Sequence, residues 1–327
     1  MRKAFLILCG LLLLGLAVLA LAVACGSSGC RAGWGSDDIV MQLRLPRALA
    51  AFAVGGLLAL AGALLQLLLR NPLADPYVLG VSGGAAVGAL GMLLLAPAAP
   101  LLWGMQLSVQ FGALAGALLA TGLLFGLARG ALLRLGTRGA NGGGVRLILT
   151  GVMLASGFGA MLTLILSLAP DTRLRGMVFW LMGDLENAQW QGAAWFVLGL
   201  SFVWAMRNSA RLNVLAHGDA AAQLLGVPVV RLRAAALLVA SLATAAAVAV
   251  AGTIGFIGLI VPHALRLVIG NDQRLLLPAS ALAGGIALTL ADLLARTIVA
   301  PVQLPVGVIT ALVGVPVFLI LLGRGRA

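Results

Sequence analysis

One lysine, two histidines, three cysteines and nine acidic residues bound the chemistry open to this 327-residue chain. A P-loop needs glycine amides around the phosphates and a lysine reaching the terminal one. The lone lysine is Lys3, so no such site is encoded, and any ATP used on this protein's behalf must be hydrolysed elsewhere. No cysteine spacing reads as a metal site. Cys9 lies in an apolar run, while Cys25 and Cys30 flank Gly-Ser-Ser-Gly and would pair if that side is oxidising. An ion-coupled carrier usually keeps an ionisable residue at mid-membrane. Eight of the acids fall in loops or at helix ends; Asp292 is the exception. It stands one turn before Arg296, where an i,i+4 ion pair is favoured over a proton relay. His263, after Pro262, is expected to make a structural hydrogen bond rather than bind a metal.

The elements that must carry these residues are membrane spans. Hydrophobic residues make up 62% of the chain and charged ones 9%, far from the composition of a water-soluble domain. Ten apolar runs are expected to be transmembrane helices: 5–24, 48–69, 78–95, 107–128, 147–168, 193–205, 234–251, 254–269, 277–295 and 306–322. The runs do not alternate, which excludes a β-barrel. Residues 1–327 therefore read as a single all-α polytopic domain in the lipid bilayer, with no loop long enough to fold as a soluble domain. Leu-Ala-Val-Ala-Cys25 resembles a lipoprotein cleavage box, but a first transmembrane helix is the preferred reading.

Charge sets the orientation. The net charge of +12 sits at the ends of apolar runs, so it reports topology and not nucleic-acid binding. With the N-terminus inside, fifteen basic residues lie on the inner side and six on the outer: Arg31, Arg44, Arg47, Arg173, Arg175 and Arg296. Both termini are then cytoplasmic.

Two inner segments stand out. In Arg70-Asn71-Pro72-Leu73-Ala74-Asp75-Pro76 the two prolines force a non-helical hairpin. In the loop 212–228, Gly218 and Asp219 offer a cap, 220–225 the body of a short helix, and Gly226 its end, with Pro228 barring continuation. Apolar side chains on so short a surface helix suggest a docking face.

Three stretches carry a family resemblance: 43–88, with Arg44-Leu-Pro-Arg47 and the proline hairpin; Gly252-Thr-Ile-Gly-Phe-Ile-Gly-Leu-Ile-Val-Pro-His-Ala-Leu-Arg266; and 304–318. In that order they resemble the permease subunits of ABC importers for iron chelates, haem or cobalamin, the FecCD type. The resemblance implies a type II ABC importer permease fold of about ten helices in the bacterial inner membrane, working as a homodimer. It implies two cytoplasmic ATPase subunits that use ATP and magnesium, a periplasmic substrate-binding protein, and no permanently bound cofactor. Carried onto this chain, Arg44, Arg47 and Arg296 would meet acidic residues of the binding protein, with lesser contributions from Arg173 and Arg175. Asn71 and Leu73 would close the inner end of the pathway, with Asn141 and Gly142 in a glycine-rich loop entering the fifth span. Gly218, Asp219, Ala222, Leu224, Leu225 and Gly226 would couple to the ATPase. Met153, Ser156, Met161 and Ser167 would line the pathway or pack against neighbours. Siderophore, haem and corrinoid all remain open as cargo. A proton-coupled carrier of a small or amphipathic solute is the alternative.

Overall fold

The structure is a computed structural model that describes residues 2–27, 29–30, 40–95, 105–134, 141–186 and 191–324. Helix α1 (Arg2–Ala24) ends in a minute antiparallel hairpin, Cys25–Gly26 against Gly29–Cys30, closed by a Cys25–Cys30 disulfide. A π-helical turn, Val40–Arg44, runs into α2 (Leu45–Leu69), and a 3-10 turn, Pro76–Leu79, leads into α3 (Val81–Leu95). Then follow α4 (Met105–Arg134), α5 (Asn141–Leu168), α6 (Asp171–Met182), α7 (Gln191–Ala216), α8 (Asp219–Leu224), α9 (Val229–Ala251), α10 (Ile257–Ile269), α11 (Gln273–Thr297) and α12 (Val306–Arg324).

A helix covers each expected span, with changed bounds. The sixth, expected over 193–205, extends to Gln191–Ala216. Among the described residues, six helical stretches are long and apolar enough to cross a membrane by themselves, whereas α3, α10 and most of α12 form shorter apolar helices. Helix α6 was not expected, because Arg173, Arg175 and Gly176 interrupt its apolar pattern. The glycine run expected as a loop before the fifth span begins that helix instead: Asn141 and Gly142 fall in the first turn of α5, and residues 135–140 lie outside the described residues.

Helix α2 is the central post. It is apolar all round, as a helix surrounded by other helices must be, and every residue from Ala50 to Leu68 is buried. It packs on α7, α9, α10 and α11. Lipid removes the hydrophobic drive between spans, so close backbone approach must supply the attraction. Gly55 of α2 faces the backbone of Gly284 in α11, and Gly62 faces Gly258 in α10; a methyl group at either site would collide with that backbone. The same device joins α3 to α4, where Gly84 and Gly88 interlock with Gly112 and Gly116.

Helices α1 and α5 are among those left largely uncovered. Along α1 the outward residues are large and apolar, among them Phe5, Leu6, Leu13 and Leu16, as expected of a lipid-facing helix. Helix α5 exposes Met153, Met161 and Leu164 interspersed with Ser156, Thr163 and Ser167. Each of those hydroxyls donates to the carbonyl four residues earlier, at 2.8–3.0 Å. Its bare face is therefore a mixed one, mostly apolar, whose hydroxyls are already satisfied in hydrogen bonding.

Candidate functional site: two arginine–aspartate junctions at opposite ends

At the end expected to face outward, hereafter the outer end, Arg47 from the first turn of α2 reaches Asp292 of α11, 245 residues away in sequence, with Nε donating to Oδ1 at 2.8 Å. Arg296 approaches the other oxygen of the same carboxylate at 3.0 Å, the i,i+4 pair expected from the sequence. Asp292 has no exposure, and Arg47 and Arg296 have 7% and 3%. A charge at such depth persists only when opposite charge and hydrogen bonds surround it. Arg47 also donates to Gln303 Oε1 at 2.7 Å and lies 3.8 Å from Asp184.

The rest of this arginine group serves helix ends. The last carbonyls of a helix lack partners within it and carry partial negative charge. Arg44 donates to the carbonyls of Ala24 at 2.7 Å and Val23 at 3.4 Å, and Arg296 to that of Ala22 at 3.2 Å, so both cap α1. Arg173 does the same for α3 through the carbonyls of Leu93 and Leu94, at 2.9 and 3.0 Å. Arg175 lies over the ring of Phe179 at 5.6 Å. The arginines expected on the outer side thus have structural contacts within the protein, except Arg31, which lies outside the described residues. Arg44, Arg47 and Arg296 nonetheless line one crevice of about 100 Å³ together with Gly26, Ser27, Leu43 and Gln303. Of these, Gln303 and the nearby Asp184 carried no signal in the sequence, since their partners are remote.

At the opposite end, expected to face the cytoplasm and hereafter the inner end, α2 closes on Arg70, whose φ of +47° is the left-handed conformation that ends many helices. The chain turns there into the hairpin. Asn71 Oδ1 accepts from the Leu73 N–H at 2.9 Å, and Leu73 is 40% exposed. Asp75 accepts from the Tyr77 N–H at 2.8 Å and caps the 3-10 turn. Burial pushes the Asp75 carboxyl from 3.8 up to about 6, partly offset by that hydrogen bond.

Helix α8 corrects one detail. Asp219 does not cap it; Gly218 occupies the N-cap, and no side chain bonds there. The Asp219 carboxylate instead accepts from Arg70 at 2.5 Å and Arg233 of α9 at 2.6 Å. Ala222 is buried, whereas Leu224 and Leu225 are 88% and 70% exposed. The expected helix body ran to Leu225; the observed one stops at Leu224, with Leu225 as C-cap and Gly226 at φ +74°. Nearby, Asn213 of α7 donates to Asp272 at 2.7 Å, a bond that with the Arg274 N–H holds the Asp272 carboxyl below its usual range. His263, by contrast, fails the expectation of a hydrogen bond, for its Nδ1 finds no partner among the described residues. No cluster of three or more metal-ligating side chains occurs among the described residues either.

These features define a class: a polytopic α-helical membrane protein with an arginine-lined crevice at one end and a short helix exposing two leucines at the other. The sequence profile of the FecCD transport family matches residues 5–324, and the chain belongs to that family. An uncharacterised ABC transporter permease, YvrB of Bacillus subtilis, is 45% identical over 89% of this chain and 81% of its own length. The vitamin B12 import system permease BtuC of Citrobacter koseri is 42% identical over 88% of this chain and 83% of its own. In three dimensions, a metal-chelate type ABC transporter in an inward-facing conformation matches with a TM-score of 0.84 at 29% identity, covering 97% of this chain and 99% of that one. PsaBC from Streptococcus pneumoniae shares the fold at 18% identity, with a TM-score of 0.58. The fold is that of a type II ABC importer permease.

Proposed function

We propose that this chain lines the pathway through which a bulky metal chelate enters the cell, driven by ATP hydrolysed on separate subunits. That it is a permease subunit of an ABC importer follows from its family. The observation that carries the reading of external power is α8, which offers Leu224 and Leu225 to solvent on a six-residue helix. Such a surface needs a cover. A cytoplasmic ATPase, two copies per homodimer, fits that need and explains why the chain has no P-loop. Both termini then lie in the cytoplasm of a bacterial inner membrane, with residues 1–327 acting as one transmembrane domain and 212–228 as its coupling segment.

At the outer mouth, the crevice lined by Arg44, Arg47 and Arg296 is sized for a single acidic side chain, and guanidinium groups orient carboxylates well. We assign docking of the substrate-binding protein there. The bare face of α5 is assigned to the two-fold axis and the pathway, because its exposed glycines, serines and threonines make it a smaller and less apolar face than the leucine-rich one of α1. Asn71 and Leu73 form the inner gate, with Asn141 and Gly142 at the start of α5 as its second element. No resident cofactor is needed, since ATP and magnesium act on the partner. A corrinoid is the cargo to test first, given the vitamin B12 permeases among the relatives.

The test is uptake of cyanocobalamin into vesicles that hold the permease, its ATPase and its binding protein. Uptake should require ATP and all three components. Accumulation driven by a pH gradient in vesicles holding this chain alone would refute the proposal. The carboxylate such a carrier would need, Asp292, is clamped between two guanidinium groups.

A further inference from the structure

Asp219 is the acidic residue of the docking loop, yet it does not face a partner. Only 11% of its side chain is exposed, and its carboxylate is shared by Arg233, 5% exposed, and Arg70, 42% exposed. One oxygen thus joins three elements: α8, the core helix α9, and the residue at which α2 becomes the gate hairpin. The helix that carries Asp219 is bounded by Gly218 at φ +123° and Gly226 at φ +74°, each with open space where a side chain would stand. Those two glycines free α8 to tilt as a unit. The Asp219 carboxylate ties this helix both to α9 and to the start of the hairpin, beside the packing of Ala222.

We infer that Asp219 is a positioning residue that transmits movement of α8 to the Asn71–Leu73 hairpin, with Arg233 as the fixed pivot and Arg70 as the moving arm. The inference rests on α8 being the ATPase-docking element. The asymmetry of burial assigns the two roles: Arg233 is enclosed by α9 and its neighbours, whereas Arg70 can swing. Arg70 also occupies a left-handed backbone position, so a change in where its guanidinium is held acts directly on the residue that aims the hairpin.

The backbone supplies an unusual control. Glycine suits φ +47° better than arginine does, so Arg70→Gly removes the arm while favouring the native turn. The experiment uses the permease and its ATPase in vesicles, carrying Leu73→Cys and Cys9→Ser, with Cys25 and Cys30 retained in their disulfide. The rate of maleimide reaction at position 73 is read without nucleotide and after trapping with ATP and vanadate. With Arg70 present the rate should change by about fivefold or more, in the range of ordinary site-to-site couplings. Arg70→Gly should abolish that change while thermal stability and ATPase binding are retained, and Arg70→Lys should restore most of it. A full nucleotide-dependent change in Arg70→Gly would overturn the relay. So would loss of ATPase binding in that variant, because Arg70 would then belong to the docking surface. If Leu224→Asp with Leu225→Asp leaves ATPase binding intact, the docking reading itself fails, and that outcome does not depend on Arg70.

Discussion

The two ends of the molecule use one motif, a single aspartate between two arginines, in opposite ways. At the outer end Asp292 is sealed among α1, α2 and α11, and all three charged groups are buried. At the inner end Asp219 rides on a glycine-hinged helix, and one of its arginines is open to water. Buried charge clusters resist rearrangement, because any intermediate exposes an unpaired ion to an apolar interior. Half-exposed ones exchange partners with water at little cost. The outer junction is therefore a rivet and the inner one a joint.

The largest effect should come from pulling the rivet. Asp292→Ala leaves two buried guanidinium groups facing each other and is expected to cost about 3–5 kcal/mol, read as a lower unfolding midpoint in detergent and a poor yield. Next comes the proposed docking face. Leu224→Asp with Leu225→Asp should weaken ATPase binding by at least about a hundredfold, since two leucines lose their burial in the complex. The unfolding midpoint should stay put, because neither side chain packs within the chain.

Asp75 sharpens the comparison, since its partner is a backbone N–H where the other two aspartates have arginines. Its carboxyl holds a proton more tightly in the folded protein than in the unfolded chain, from pH 3.8 to about 6. Stability from this group is therefore greatest below that window and falls as pH rises through it. Asp75→Asn should be more stable than the parent at pH 7 by at most about 3 kcal/mol, and the two should converge near pH 4, as thermal midpoints across that range will show. The smallest change is expected at the joint. Asp219→Ala should cost about 1–2 kcal/mol, between the limits for exposed and buried pairs. If it proves as damaging as Asp292→Ala, the distinction between the two ends collapses.

Much of this was readable along the chain where the chemistry is local. The spacing of Asp292 and Arg296 gave their pair, and Gly218, Gly226 and Pro228 marked the limits of α8 to within a residue. Long-range partners left no such trace. Nothing near Arg47 points to Asp292 or Gln303, and nothing near Arg70 points to a residue 149 positions away. Asp219 was read as a helix cap because aspartate before a short helix usually is one. Two arginines on other helices outbid the local amides. Helix α6 escaped notice for a related reason: its arginines interrupt the apolar run, and their uses, capping α3 and lying over Phe179, are visible only once the helices are in place.

The hydroxyls along α5 have a wider implication. On the pathway proposed above, a wall formed by α5, each hydroxyl proton already committed to its own backbone, would have little with which to recognise one cargo over another. Discrimination must then be exercised before the solute arrives, by whatever protein hands it over. A lineage could acquire a new nutrient by altering the courier while leaving the passage untouched.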